Sequence, residues 1–419
     1  MKADIAIVGA GPAGLAAAAA ALRCDRHVML IDDNPNIGGQ IWRGMQPIAG
    51  YTAMLNDPRL CYLPSTRVVA APGAGRLLLE TVSGTSNLPI HLHYARLIVA
   101  SGARERLLPF PGWTLPGVMG AGGLQAMVKN GMDVRGRRIA LAGTGPLLLA
   151  TADTLARAGA HVVLIAEQAR GIRLARFAFS LLEFPSTLAR AAELLWSLRG
   201  IAYHADSYVS EAVGDQHLQG VRLQSGLRSI EISCDWLGVG YGLLPNTELL
   251  RTLGCAIEGD RALVDDRLRT SVPNIYAAGE STGIGGVGKA VLEGSLAGLA
   301  ASECMSGIPT LMRRRRRHLR FVRLLERHFA LRPEIAAQVS DNTIVCRCED
   351  VKHGRLAAFG NWREAKLQTR CGMGPCQGRI CAPACNALYG WHDTSSRPPL
   401  QPARLATLAA ATVPTTPDN

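Results

Sequence analysis

Within the first 340 residues no two cysteines stand within five positions of each other, so the chain lacks the paired thiols on which a disulfide reductase depends. Nor does any segment reach the roughly 20 uninterrupted apolar residues of a membrane-spanning helix, which leaves peripheral contact, at the inner membrane for instance, as the only membrane role. A secretion signal is missing as well. The apolar stretch from Ile5 to Leu22 is broken by Gly9-Ala10-Gly11-Pro12-Ala13-Gly14, which reads as strand, turn and helix. These absences point to a cytoplasmic protein.

What cysteine there is sits mostly at one end. The chain has eleven, an odd number, and six lie between Cys346 and Cys385. Without a secretory context, metal or cluster ligation explains them better than disulfides do. Cys24, Cys61, Cys234, Cys255 and Cys304 are scattered singly in apolar surroundings and read as small buried hydrophobes. A length of 419 residues, 48% hydrophobic content and 45 glycines fit an α/β protein of two or three domains.

The net charge of +12 is concentrated in part in Arg313 to Arg317, followed by His318, Arg320, Arg323 and Arg327. These alternate with Leu319, Phe321, Val322, Leu324 and Leu325 at helical spacing, so they read as the solvated face of a connecting helix. A basic run without a reader fold does not make a nucleic-acid site, and an acidic protein partner fits it better.

The most complete motif is the first. Asp4 to Val8 is strand-like, Gly9, Gly11 and Gly14 follow, an alanine-rich helix runs to about Arg23, and Val28 to Ile31 leads to Asp32. Gly9 makes the tight turn, Gly11 lets the backbone approach a pyrophosphate, and Gly14 lets helix and strand pack closely. The helix N-terminus then faces the phosphate charge while Asp32 is placed to accept from ribose hydroxyls. Two later segments resemble the remaining signatures of flavoproteins with two dinucleotide-binding domains: Leu97-Ile-Val-Ala-Ser101-Gly102 and Asn274-Ile-Tyr-Ala-Ala-Gly279-Glu280. That resemblance implies FAD, with Glu280 in place of the commoner aspartate at the ribityl chain or nearby phosphate. Gly38, Gly39 and Gln40 fit the loop passing the adenosine and flavin portions, and Gly283, Gly285, Gly286 and Gly288 fit the approach of a helix N-terminus to the flavin ring.

A second strand–turn–helix unit lies between these segments: Arg137 to Ala142, then Gly143-Thr-Gly145-Pro-Leu-Leu148, then Val162 to Glu167. It reads as an inserted NAD(P)-binding-like domain with a damaged motif, because Leu148 stands where a third glycine is expected.

At Asp341 the chain changes character. Cys346-Arg-Cys348 opens a small module, and Cys371-Gly-Met-Gly-Pro-Cys376-Gln-Gly-Arg-Ile-Cys381 closes it. Thiolates are soft ligands, and four of them hold a 2Fe-2S cluster or, in competition, a structural zinc. Cys371 with Cys376, and Cys376 with Cys381, have the same spacing, so the residues leave the second pair open. Cys385, one helical turn beyond Cys381, reads as packing.

With these motifs and the stretch Gly240-Tyr-Gly-Leu-Leu-Pro-Asn246, residues 2 to about 390 resemble the alpha (A) subunits of hetero-oligomeric opine and amino-acid dehydrogenases, including opine oxidase, hydroxyproline or proline dehydrogenase, and hydrogen cyanide synthase. The C-terminal module resembles bacterioferritin-associated ferredoxin, and the resemblance favours Cys346, Cys348, Cys376 and Cys381 as ligands with Cys371 as alternate. It implies an α/β, Rossmann-like flavoprotein whose FAD domain is discontinuous, at 1–110 and 235–310, with the inserted domain at 111–234. A basic helical linker at 311–340, the 2Fe-2S domain at 341–394 and a disordered tail at 395–419 complete the expected organisation. The implied division of labour is a beta subunit similar to D-amino-acid oxidase that oxidises a secondary amine or amino acid, and this chain passing electrons to a quinone or other acceptor. The same resemblance allows a small third subunit, and a second nucleotide or an FMN at a subunit interface. Two rival readings stand beside it: a self-sufficient NAD(P)H-dependent reductase, and a non-enzymatic redox sensor or cluster carrier. No residue is singled out as a catalytic base; His91, His93 and His204 are isolated.

Overall fold

The structure, a computed structural model, describes residues 1–45, 48, 50–82, 89–392 and 397–412. The chain forms two compact units: Met1–Arg104 with Leu244–Arg320 and Ser395–Asn419, and Glu105–Leu243 with Phe321–Thr394.

The first unit is built on a seven-stranded sheet. Its order is Leu60–Leu63, Val28–Ile31, Lys2–Val8, Ile90–Val99, Arg76–Thr81 and Thr66–Gly73, with Ile275–Ala277 also paired to Ile90–Val99. Strand Ile90–Val99 changes neighbour along its length. Its first half pairs antiparallel with Arg76–Thr81, while Leu97, Ile98 and Val99 pair parallel with Ile275, Tyr276 and Ala277. Two helices, Pro12–Leu22 and Gly286–Ala301, lie against each other. They approach unusually closely because a Cβ on Gly294 would run into the Ala13 carbonyl, and one on Gly298 into that of Ala17. The run of alanines on the first helix is therefore a packing requirement: Ala16, Ala17, Ala18, Ala20 and Ala21 are all 2% exposed or less.

The second unit contains a five-stranded parallel sheet in the order Ala202–His204, His161–Glu167, Arg138–Gly143, Trp236–Gly240 and Val118–Gly120. A three-stranded antiparallel sheet, Ser207–Val213, Gly220–Ser225 and Arg228–Ser233, follows. The cysteine-rich module belongs to this unit and has its own core of Val345, Val351, Leu356, Trp362, Ala365, Ala384 and Trp391 with four of the cysteines. The Trp113 indole donates to the Ile344 carbonyl at 2.6 Å, and the Arg347 guanidinium lies over the same ring.

The limits of the inserted domain and the tail differ from expectation; residues 105–110 fall in the second unit rather than the first. Residues 235–243 join the second unit, because Trp236–Gly240 pairs with Arg138–Gly143 in the inserted sheet. The basic segment forms the expected helix, Ile308–His328, with Arg313, Arg314, Arg316, Arg317, Arg320, Arg323 and Arg327 exposed; Arg315, 13% exposed, departs from that face and pairs with Glu293, while Arg316 pairs with Asp266. The tail is ordered over its described part. Leu400 N–H donates to the Val69 carbonyl, Leu400 and Thr407 are buried, and Leu405–Thr412 is helical. Its alanines and leucines are strong helix formers, which outweighs the disorder implied by the prolines and threonines around them.

Candidate functional site: a dinucleotide cradle and a thiol cluster

At the end of strand Lys2–Val8 the backbone turns at Gly9, whose φ is +107° and whose N–H donates to the Ile31 carbonyl at 2.7 Å. A side chain there would strike the Ala100 carbonyl, and one at Gly14 would strike the Gly9 carbonyl, so both glycines are sterically required. Gly11 is the N-cap of the helix that opens with Pro12 and Ala13. The space beside its Cα is open to within 3.9 Å of Gly39, a gap a Cβ would fill, which is the shape a pyrophosphate needs at a helix N-terminus. Asp32 is buried at the tip of the second strand. Its carboxylate accepts from Ala10 N–H at 2.5 Å and from the Asn34 backbone and side chain at 2.8 and 2.9 Å. Gln40 is exposed beside this loop. Ser101 and Gly102 are pinned from the other side: Ser101 Oγ donates to the Asn246 carbonyl, and Asn246 Nδ2 returns a bond to the Ser101 carbonyl. Gly102, at φ +69°, has nothing within 4 Å of where a Cβ would be.

The Gly279–Thr282 turn forms the other wall. Glu280 points its carboxylate at the N-terminus of helix Gly286–Ala301, accepting from Gly285 N–H at 2.9 Å and Gly286 N–H at 2.7 Å. Burial raises its pKa. Glu280 therefore caps a helix here, a reach its extra methylene provides. Beneath the turn lies a group that sequence reasoning missed. Lys289, 2% exposed, donates to the carbonyls of Gly279 and Gly283, to Thr282 Oγ1 and to Glu293 Oε2. Glu293, fully buried, also accepts from Gly279 N–H at 3.0 Å, Thr282 Oγ1 at 2.6 Å and Arg315 Nε at 2.8 Å. Lys289 and Glu293 are the one charged pair in an otherwise uncharged helix, four residues apart, and that was the available signal. His318 Nε2 lies 3.0 Å from the Gly285 carbonyl, beside Gly288.

The second glycine motif is arranged differently. Gly143 makes its turn against Gly240, but Leu148 is buried in the core of the inserted sheet at the third position. Glu167 accepts from Gly145 N–H at 2.7 Å and Ala169 N–H at 2.8 Å, and burial raises its pKa. Over the motif runs the strap Phe329–Arg332. Thr144 Oγ1 donates to the Phe329 carbonyl, Gln168 Nε2 donates to the Ala330 carbonyl, and Arg332 N–H donates back to Gln168 Oε1. The Phe329 ring stands 3.8 Å from where a Gly145 Cβ would project, in the space a pyrophosphate takes at an open motif, and packs edge-on to Phe177.

In the C-terminal module the ligand atoms of Cys346, Cys371 and Cys381 all lie within 4.8 Å of one another, and all three residues are buried. The Cys376 thiol interacts with Cys381 and with Cys348, the exposed member. Contact with Cys371 and Cys381 holds the Cys346 thiol well below its ordinary pKa, as contact with Cys381 does for Cys376. Cys385 is buried behind Cys371. Glycines make the loop possible: a Cβ on Gly372 would stand 2.7 Å from Trp362, and one on Gly374 would strike Cys348. A set of soft donors at this separation fits a metal or iron-sulfur group.

Residues 3–294 match the model of the pyridine nucleotide-disulphide oxidoreductase family. The chain belongs to that family. Within it, this oxidoreductase is 34% identical to the A subunit of opine oxidase from Rhizobium meliloti (strain 1021), with 97% of this chain and 98% of the relative aligned. It is 32% identical to the hydrogen cyanide synthase subunit HcnB of Pseudomonas aeruginosa, over 91% of each. Among solved structures, L-proline dehydrogenase from P. horikoshii superposes over 97% of this chain and 79% of that one, with a TM-score of 0.68 at 18% identity, a likeness of fold. A thioredoxin reductase from T. acidophilum covers 72% of the oxidoreductase with a TM-score of 0.54, stopping short of its whole length. No helix of the described residues is long and apolar enough to cross a membrane.

Proposed function

We propose that this oxidoreductase is the electron-transfer subunit of a hetero-oligomeric amine dehydrogenase acting on an opine or a proline-type amino acid. A beta subunit similar to D-amino-acid oxidase takes the electron pair from the substrate, and this chain carries it towards a quinone or another acceptor. The observation that carries the reading is the group of buried thiols in a chain that has one open dinucleotide cradle and matches the A subunit of opine oxidase from end to end. Bound FAD supplies two-electron acceptance and a 2Fe-2S cluster supplies one-electron transfer.

The chain's own residues divide the work. Gly9, Gly11, Pro12, Ala13 and Gly14 bring the backbone up to the pyrophosphate, and Asp32 offers its carboxylate to the ribose. Gly39 and Gln40 border the adenosine side, while Ser101, Gly102, Gly279, Glu280 and Gly286 line the ribityl and ring side. Lys289, Glu293 and Arg315 hold the Gly279 turn from beneath. Cys346, Cys348, Cys376 and Cys381, with Cys371 adjoining, supply the sulfur ligands. The strap on the second motif favours this reading over an NAD(P)H-dependent reductase, since Phe329 stands where a nicotinamide nucleotide would lay its phosphates. A need for a partner is supported by helices Gly171–Ser180 and Pro185–Ser197. Neither has a buried residue, and they leave Ile172, Phe179, Leu195 and Trp196 at least 55% exposed.

The test is an anaerobic absorbance titration of the protein purified with its partner subunit, first with NADH and then with opines, proline and hydroxyproline stereoisomers. Bleaching of flavin and cluster bands by an amine alone is expected and names the substrate. Bleaching by NADH alone overturns the reading in favour of a reductase, and no cluster band at all removes the relay.

A further inference from the structure

Cys346, Cys371 and Cys381 meet in one cluster, Cys376 and Cys348 adjoin it, and a 2Fe-2S or zinc group takes four sulfurs. We infer that the ligand position beside Cys346 is interchangeable, filled by either Cys348 or Cys371, with Cys376 and Cys381 completing the set. The bound group therefore outlasts loss of Cys348. This rests on the proposed presence of a thiolate-bound metal group, and on geometry the sequence spacing alone leaves undecided.

Two sulfurs on one tetrahedral metal with bonds of about 2.3 Å stand about 3.8 Å apart. Cys346, Cys371 and Cys381 are already within 4.8 Å of one another, so about one ångström of adjustment brings Cys346 and Cys371 onto a common metal. Cys376 adjoins Cys381 and forms the second pair. Cys348 is two residues from Cys346, interacts with Cys376 and is exposed, which makes it the solvent-facing candidate for the same position.

The position of Cys371 is set by a rigid device rather than by a loose loop. Helix Trp362–Thr369 ends at Arg370, whose φ of +66° turns the chain back, and Cys371 N–H is held by Thr369 Oγ1 at 3.2 Å. Gly372, at φ +81°, then passes beneath the Trp362 ring. The turn aims the Cys371 thiol into the cluster, with Cys385 closing the space behind it. Of the two candidates for one position, the exposed one meets solvent oxidants and alkylating agents first, and the buried one is sheltered.

The experiment measures iron, zinc and acid-labile sulfide per chain, with visible and EPR spectra of the reduced protein, in anaerobically purified full chain. It compares wild type with Cys348→Ala, Cys371→Ala, Cys376→Ala and the double variant Cys348→Ala/Cys371→Ala. Each single variant at 348 or 371 is expected to keep iron and sulfide near the wild-type level, Cys348→Ala with a shifted EPR signal. The double variant and Cys376→Ala are expected to lose about tenfold or more. Loss in Cys348→Ala as complete as in the double variant overturns the inference, with FAD content reporting that the first unit is intact. Wild type holding zinc and no iron would sink the electron-relay reading instead. The exchange of ligands would then be judged by whether zinc follows the same pattern across the variants.

Discussion

Replacing Glu293 with alanine tests how the floor of the cradle is held. The carboxylate is fully buried and serves four donors: Gly279 N–H, Thr282 Oγ1 and Lys289 Nζ on one oxygen, and Arg315 Nε on the other. Alanine removes every one of these acceptors and leaves Lys289, 2% exposed, with neutral partners only. Breaking a buried ion pair from one side costs about 3–5 kcal/mol. At roughly 2–4 °C per kcal/mol for a unit of this size, the first unit should melt about 6–20 °C lower. Glu293→Gln keeps the shape without the charge and should fall between. Replacing all three groups, as Lys289→Met/Glu293→Leu/Arg315→Met, leaves no stranded charge and should recover most of the loss. Calorimetry of the full chain near neutral pH reads the transition, and FAD retained after gel filtration reads the turn above it. Alanine melting within about 2 °C of wild type with full FAD would refute the reasoning. The pH dependence has a definite sign. Burial alone would raise the Glu293 pKa, but Lys289 and Arg315 together hold it below the usual carboxylate range. The stabilisation is therefore complete above the unfolded value of about 4.3 and is lost as pH falls below it through the folded value. The gap between wild type and Glu293→Gln should stay constant around neutrality and close in acid.

Three other outcomes are expected. Gly294→Ala forces its helix away from Ala13 and should destabilise the first unit by about 1–3 kcal/mol, measured by urea denaturation, whereas the exposed Gly360 should accept alanine with little change. Asp32→Asn loses a charged acceptor for Ala10 N–H and the ribose, about 1.5–3 kcal/mol, so equilibrium dialysis should show FAD bound roughly tenfold or more weakly. Isothermal titration of wild type with NADH or NADPH should give no heat from the second motif, and Phe329→Gly should open that space without affecting FAD content; nucleotide binding by wild type at Gly145 would contradict the strap's role.

The first glycine motif was legible because its chemistry is local: strand, turn, helix and terminal acid lie within 31 residues, and steric necessity fixes which positions are glycine. The damage at Leu148 was legible for the same reason. What covers the second motif was not, since Phe329 lies about 180 residues beyond Gly145 and nothing in its neighbours marks it as a plug. The lysine and glutamate under the Gly279 turn were visible as an isolated pair on an uncharged helix, yet their partner Arg315 was hidden in a run of arginines that looked uniform. Spacing brought five cysteines into contention but could not say which sulfurs meet; the helix end at Arg370 decides that for Cys371. The tail misled because its prolines and threonines dominated the composition, while Leu400 joins the apolar core of the first unit.

The divided partnership of strand Ile90–Val99 has a consequence during synthesis. The edge at Leu97, Ile98 and Val99 is completed by residues made roughly 180 positions later. At about 5–20 residues per second, that edge waits some ten to forty seconds on the ribosome for its neighbour. The intervening stretch contributes the parallel sheet of the second unit, whose strands between Val118 and Gly240 are all translated before Ile275 emerges. A nascent chain paused in that interval holds a bare apolar strand edge, the kind of surface on which chains pair with one another. Yield in a heterologous host should therefore respond to translation speed and chaperone supply across residues 100–275 more than to codon choice elsewhere.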